Sequence, residues 1–113
     1  PYTLASVASL FTGEHVDVHH VIHAGDLLPD VLPTLAETFR AAGYRTHGAS
    51  SNLHVHERFG FARGFDTFTW HDPAVGRVPH HVVPESLLAD VEAHLADDDP
   101  RPAFVYAHLM PPH

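Results

Sequence analysis

Residues 33–50, PTLAETFRAAGYRTHGAS, carry the clearest local structural signal in the chain. Thr34 and Glu37 have the spacing of a capping box, in which each side chain satisfies a backbone N–H group at the start of a helix. Apolar residues then recur at helical spacing, at Leu35, Phe39 and Ala42. Gly43 is typical of a helix end, and residues 44–50 have the character of a short strand. The stretch therefore predicts a helix followed by a strand.

The segments on either side of this helix and strand predict one further helix and two stretches without regular structure. Residues 4–12, LASVASLFT, predict an amphipathic helix that Gly13 can end. Its apolar stripe consists of Leu4, Val7, Ala8 and Phe11. Residues 14–32 mix His, Asp, Gly and Pro with short apolar pieces and predict a loop. Residues 51–82 hold several Gly and Pro residues among aromatics and predict an irregular excursion.

The last third of the chain predicts another helix and another strand. Pro84 opens an amphipathic helix, which the acidic run at 97–99 ends. Its expected apolar face consists of Leu87, Leu88, Val91 and Leu95. Residues 103–110, AFVYAHLM, are almost continuously apolar, which is typical of a strand buried on both faces of a parallel sheet. This alternation of helices and strands predicts the α/β class, with a parallel or mixed sheet flanked by helices.

Composition and charge exclude several classes of protein. The 113 residues suffice for one small domain, and an apolar content of 44% is typical of a globular chain. The net charge is −8 with histidine neutral, and six basic residues, all arginine, make no basic face for nucleic acid. Without cysteine there are no disulfides, zinc–thiolate sites or cysteine nucleophile. No long apolar run or signal-peptide pattern is present, so we expect a cytoplasmic protein without a membrane partner.

Thr3 is a candidate for chemistry because it stands immediately before the helix predicted at 4–12. Unpaired backbone N–H groups and the helix dipole favour an anion at that place. A hydroxyl there can attack the phosphorus or sulfur of an ester if a metal ion or a base activates it. The alternative interpretation is that Thr3 caps the helix, with Ser6 as a competing cap, and capping is the commoner reason for a threonine there.

Five segments carry a further signal when they are taken together. They are residues 3–13 (TLASVASLFTG), His19, residues 33–46 (PTLAETFRAAGYRT), residues 60–68 (GFARGFDTF) and residues 104–113 (FVYAHLMPPH). In this order they resemble segments of the sulfatase and alkaline-phosphatase superfamily, and they extend over essentially the whole chain. The resemblance implies a partial alkaline-phosphatase-like domain and a hydrolase of sulfate or phosphate esters.

The resemblance also implies which residues act. Counting back from Thr12-Gly13, the nucleophile position falls on Thr3, which in the family also contacts the metal. His113 matches a histidine that contacts the substrate, and Asn52 is a second candidate for holding the oxygens of the anion. The implied cofactor is a divalent metal ion (Ca²⁺, Mg²⁺, Mn²⁺ or Zn²⁺). The implied substrate is a small-molecule or polymeric ester of sulfate or phosphate.

Several positions depart from the family pattern. Ala5 and Val7 stand where typical sulfatases have the proline and arginine of their modification motif, and His20 replaces the glycine that follows the family histidine. The substrate-gripping lysine expected after residues 43–46 is missing. Because a threonine cannot be oxidised to formylglycine, we expect Thr3 itself to attack and to form a covalent intermediate that water hydrolyses.

The aspartates that hold the metal in the family precede the nucleophile helix or lie far downstream, and neither group falls within residues 1–113. We therefore expect residues 1–113 to be a partial sulfatase-like domain, from the nucleophile segment to the end of the strand at 103–110. We expect this piece to be inactive alone and to pack against flanking segments of the same domain.

The histidines support a second hypothesis, because the chain has 13 of them. One group crowds residues 15–23, at His15, His19, His20 and His23, and another is the pair His54 and His56. Neutral imidazoles bind zinc, nickel and copper, so a histidine-rich metal-binding module is an alternative. A third hypothesis is a non-catalytic remnant that folds only against a missing partner segment. His94 is expected at the surface, and His108 is expected to be a hydrogen-bonded histidine of the core.

Overall fold

The computed structural model describes residues 2–72 and 85–109, and within them the chain forms four helices and three strands. In chain order these are α1 (Tyr2–Thr12), α2 (Val16–His19), α3 (Leu35–Ala41), β1 (Arg45–Ser50), β2 (Thr67–Trp70), α4 (Glu85–Leu95) and β3 (Ala103–His108). A 3₁₀ turn at Glu57–Phe59 lies between β1 and β2. The longest helices have 11 residues, and none in the described ranges could cross a bilayer.

The three strands form one parallel sheet in the order β2-β1-β3. His47 of β1 lies opposite Thr67 of β2, and Arg45 of β1 lies opposite Ala103 of β3. The predicted α/β class is thus confirmed, with every described strand pair parallel. Because all three strands run the same way, their carboxyl ends meet at one edge of the sheet, which is where ligands bind in open α/β folds.

Helix α3 begins with the capping box that the sequence predicts. The backbone N–H of Thr34 donates to Oε1 of Glu37 (2.9 Å), and the backbone N–H of Glu37 donates to Oγ1 of Thr34 (3.2 Å). The Thr34 hydroxyl also donates to the carbonyl of Arg63 (3.0 Å), so the same residue attaches α3 to a distant loop. The inward residue of α3 is Ala36, whereas Ala42 is exposed.

The Arg-Gly-Phe-Asp segment at 63–66 joins α3 to β1. The guanidinium of Arg63 donates to a carboxylate oxygen of Glu37 (3.2 Å) and to the carbonyl of Leu32 (2.5 Å). At the other end, the carboxylate of Asp66 accepts a hydrogen bond from the backbone N–H of Thr46 (3.1 Å). These contacts give the charged residues of the segment a structural role.

The core lies between α1 and the loops that follow α2 and β1. All four residues of the predicted α1 stripe are buried, which confirms that prediction. They pack with buried apolar residues from elsewhere in the chain, namely Val21, Leu28, Ala36, Val55, Phe61 and Phe65. Phe11 is central, because its ring contacts those of Phe61 (centroids 5.6 Å apart) and Tyr106 (4.8 Å).

Three expectations from the sequence are wrong in the described residues. Helix α2 forms inside the stretch predicted to be a loop, and β2 forms inside the stretch predicted to be irregular. Strand β3 lies at one end of the described sheet and is half-buried rather than buried on both faces. Pro84 and Met110, the predicted bounds of α4 and β3, lie outside the described residues.

His20 ends α2 in a backbone conformation that usually requires glycine. Its φ is 58°, which makes it the one described non-glycine residue with positive φ. In the family pattern given above, this position is a glycine, which adopts that conformation without steric strain. The substitution therefore places a strained residue next to buried His19.

Candidate functional site

A cavity at the carboxyl edge of the sheet brings two of the predicted site residues together. It has a volume of about 440 Å³ and is lined by Thr3 and Leu4 of α1, by residues Ile22, His23 and Ala24, and by Asn52 and His54 after β1. Thr3 and Asn52 are far apart in the sequence, so the fold is what makes them neighbours. The third predicted residue, His113, lies outside the described residues.

Thr3 lies in the first turn of α1, since the helix begins at Tyr2, earlier than the sequence predicts. Its side chain is exposed, so a ligand in the cavity can reach the hydroxyl. The first four backbone N–H groups of a helix have no partner within it, and the helix dipole makes this end positive. The surroundings of Thr3 therefore favour an anion.

Asn52 is held in one orientation by contacts on both sides of its amide. It is only 6% exposed. Its Oδ1 accepts a hydrogen bond from the backbone N–H of His54 (2.8 Å), and its Nδ2 lies 3.4 Å from Nε2 of His108. The indole N–H of Trp70 donates to the backbone carbonyl of Asn52 (3.0 Å), which connects the end of β2 to the same segment. The position of the amide is therefore set by the sheet.

His108 at the end of β3 is a hydrogen-bonded histidine, as the sequence predicts. Its Nδ1 lies 2.7 Å from the Tyr106 hydroxyl. Because the Asn52 amide nitrogen can only donate, the Nε2 that faces it accepts, and Nδ1 carries the ring proton. Burial lowers the pKa of His108, in agreement with this neutral form. His108 therefore helps to orient Asn52.

The divalent metal that the resemblance implies has few ligands among the described residues of this cavity. They offer one hydroxyl, one amide and two imidazoles, and no carboxylate lines the described wall. Hard cations such as Ca²⁺ and Mg²⁺ are held mainly by carboxylate and carbonyl oxygens. The described residues alone therefore do not fit such an ion, and the chemistry proposed below does not depend on it.

Three of the histidines of the second hypothesis have structural contacts. In His15, His19 and His56, Nδ1 accepts the backbone N–H of the residue two positions later. His19 is 1% exposed, and its Nε2 lies 2.9 Å from Oγ of Ser9. Burial lowers the pKa of His19, and the nearby His15 and His20 lower it further. No metal-binding group in the described chain includes these residues.

The described residues do contain one cluster with ligand spacing, which the sequence analysis missed. It consists of His47 on β1 with Asp90 and His94 on α4, whose ligand atoms all lie within 4.8 Å of one another. Burial opposes ionisation of Asp90, but hydrogen bonding to His71 and the attraction of His47 outweigh it and lower the Asp90 pKa.

The sequence pattern that could have identified this cluster is the spacing of residues along α4. Asp90 and His94 follow buried Leu87 at i+3 and i+7, so they lie on the inward stripe of the helix. His94 is accordingly half-buried, not at the surface as predicted, while Leu88 and Leu95 of the predicted apolar face are exposed. The cluster shares no residue with the Thr3 cavity.

Comparisons with known proteins complete this description of the chain. No curated protein and no solved structure matches it. A protein-family model described as Sulfatase does match, and the match extends over residues 1–113. It agrees with the parallel α/β architecture and with the collinear segments identified in the sequence. The chain belongs to the sulfatase family.

Proposed function

We propose that this chain supplies the nucleophile of a sulfatase-like hydrolase that cleaves a sulfate or phosphate ester through Thr3. One observation carries the proposal. A single cavity places the first turn of α1, with the exposed Thr3 hydroxyl, against Asn52 at the carboxyl edge of the sheet. Its volume of about 440 Å³ falls within the roughly 300–1,000 Å³ that is typical of small-molecule sites.

The proposed reaction has two steps. In the first, Oγ of Thr3 forms a bond to phosphorus or sulfur, the bond to the ester oxygen breaks, and the alcohol leaves with a proton. In the second, water attacks the same centre, which releases the Thr3 hydroxyl and inorganic phosphate or sulfate. His23 and His54 line the cavity, and either imidazole in its neutral form can accept the proton that the hydroxyl loses.

The anion would be held by groups that the fold already orients. Backbone N–H groups at the start of α1 face the ester oxygens, and the dipole of α1 stabilises the negative charge that develops on them. Asn52 lines the cavity, and the second N–H of its amide would hold the same oxygens. His113 is proposed as a further contact on the basis of the resemblance alone. A divalent metal, which sulfatases generally use, would supply added charge neutralisation when bound by the complete domain.

The proposal is tested with a Thr3→Ala variant of the active protein that contains residues 1–113. With p-nitrophenyl phosphate and p-nitrophenyl sulfate as substrates, we expect kcat to fall by about 10³-fold or more, as for the loss of other nucleophiles. Thr3→Ser, which keeps the hydroxyl, is expected to retain much of the activity. Mass spectrometry of the quenched reaction should find the phosphoryl or sulfuryl group on the peptide that contains Thr3.

Thr12→Ala is the matched control, because Thr12 is in the same helix but outside the cavity. Its hydroxyl donates to the carbonyl of Ala8 (2.8 Å) at the other end of α1. We expect this variant to keep wild-type turnover. If Thr3→Ala keeps wild-type turnover as well, Thr3 is not the nucleophile and the proposal is wrong.

A further inference from the structure

The cluster of His47 on β1 with Asp90 and His94 on α4 has no role in the function proposed for the Thr3 cavity. Nε2 of His47 lies 2.9 Å from a carboxylate oxygen of Asp90. Despite this short distance, the buried nitrogen makes no hydrogen bond with acceptable geometry among the described residues. His47 is 3% exposed, and an unsatisfied polar atom at such a site is uncommon.

The two imidazoles of the cluster each have their other nitrogen engaged. Nδ1 of His47 contacts the hydroxyl of Thr67, and Nδ1 of His94 lies 2.9 Å from the backbone carbonyl of Asp90. A ring nitrogen that faces a carbonyl must carry the proton, which leaves a lone pair on Nε2 of His94, 3.4 Å from the Thr67 hydroxyl. Histidines that bind metals are held in this way, with the non-ligating N–H donated to an oxygen.

The Asp90 carboxylate beside the two rings is also held by His71. Nε2 of His71 lies 2.8 Å from Oδ2 of Asp90, and Nδ1 of His71 lies 3.0 Å from the hydroxyl of Ser86. The His71 ring thus donates to one carboxylate oxygen, and the other, Oδ1, lies 2.9 Å from Nε2 of His47 and 3.3 Å from Nδ1 of His94. One ligand atom from each of His47, Asp90 and His94 therefore lies within 4.8 Å of the other two.

We propose that His47, Asp90 and His94 form a binding site for one divalent transition-metal ion, such as Zn²⁺, separate from the Thr3 cavity. Two histidines and one carboxylate are a recurrent protein donor set for such ions, with water completing the coordination. The two rings stack 3.4 Å apart with planes 6° from parallel. Binding requires them to tilt so that both lone pairs point to the ion. The ion then links α4 to β1.

The test measures Zn²⁺ binding to the metal-stripped protein by isothermal titration calorimetry. We expect His94→Ala and Asp90→Asn each to remove one equivalent of bound Zn²⁺, with at least about a 100-fold loss of affinity at this site. Thr67→Val keeps all three ligands but removes the hydroxyl that orients His47, and it should weaken binding about 10- to 100-fold. Zn²⁺ should also raise the Tm of the wild type but not that of His94→Ala.

His15→Ala is the matched control, because His15 is an exposed histidine far along the chain from the cluster. It should bind Zn²⁺ as the wild type does. An equal loss in His15→Ala and His94→Ala would mean that Zn²⁺ binds surface histidines in general, and unchanged binding in His94→Ala and Asp90→Asn would exclude this site. Both results overturn the proposal. Circular dichroism checks that His94→Ala folds, and Thr67→Val decides the question if it does not.

Discussion

Gly64 is a position where the structure predicts a large loss of stability from a single added methyl group. Its φ is +91°, in the region that favours glycine. A Cβ atom there would clash with the backbone nitrogen of Glu37 and would lie 2.6 Å from Cγ of Glu37 and 2.9 Å from the carbonyl carbon of Ala36. Two of these atoms belong to the backbone in the first turn of α3, which the capping box holds in place. They cannot move aside without breaking that box.

The expected loss of stability has two parts. An L-residue in the left-handed region is destabilised by about 1–2 kcal/mol. Forcing a methyl group into a packed site adds about 1–3 kcal/mol. We therefore expect Gly64→Ala to lower the free energy of unfolding by about 2–5 kcal/mol, a large share of the roughly 5–15 kcal/mol that stabilises a typical domain.

Gly25→Ala separates these two parts. Gly25 has a φ of +90°, but a Cβ atom there would meet nothing within 4 Å. Both variants also restrict the unfolded chain to the same extent, so that effect cancels in the comparison. Urea denaturation followed by circular dichroism gives the free energy of unfolding of each variant. If Gly64→Ala is no more destabilising than Gly25→Ala, the close approach of the loop to α3 does not matter and the reasoning is refuted.

Two further predictions concern adjacent histidines. His20→Gly relieves about 1–2 kcal/mol of strain at a positive-φ position, and the added freedom of glycine in the unfolded chain offsets about 0.5–1 kcal/mol of it. The free energy of unfolding should therefore rise by up to about 1 kcal/mol in the same assay, and a loss of stability would contradict the strain assigned to His20. Burial and the nearby His15 and His20 lower the pKa of His19 in the folded protein below its value in the unfolded chain. The unfolded state therefore binds more protons in this range. The free energy of unfolding should fall as the pH drops below about 6.5, and it should level off below the folded pKa. His19→Leu should show a smaller dependence of urea midpoint on pH, and an unchanged dependence would exclude His19 as a source.

The elements that the sequence predicts best are those with local causes. The capping box of Thr34 and Glu37 and the apolar stripe of α1 depend on neighbours within a few positions, and both are present as predicted. Strand β2 was missed because it has only four residues and sits among glycines. Its strand conformation comes from pairing with β1, and the parallel partner is about twenty positions away.

The same distinction between local and long-range causes applies to the candidate sites. Thr3 was named from its place before a helix and from motif resemblance, and Asn52 was named as a candidate for holding the anion; the fold brings both to one cavity. The cluster on α4 was missed because Asp90 and His94 interrupt an apolar stripe, and the leucines beside them suggested a different inward face. Its third member, His47, comes from a strand, and only the tertiary structure relates the two elements.

The order of strands in the sheet determines when each strand can pair during synthesis of the chain. β1 is central, and both of its partners follow it in the sequence. Parallel strands cannot pair as a hairpin, so each pairing must wait for a long connection to close. During synthesis β1 therefore emerges before both described partners, and after β2 has paired it keeps one open edge until α4 and then β3 have left the ribosome. A chain that stops before residue 103 would present that edge to other chains, and we expect such truncated products to aggregate.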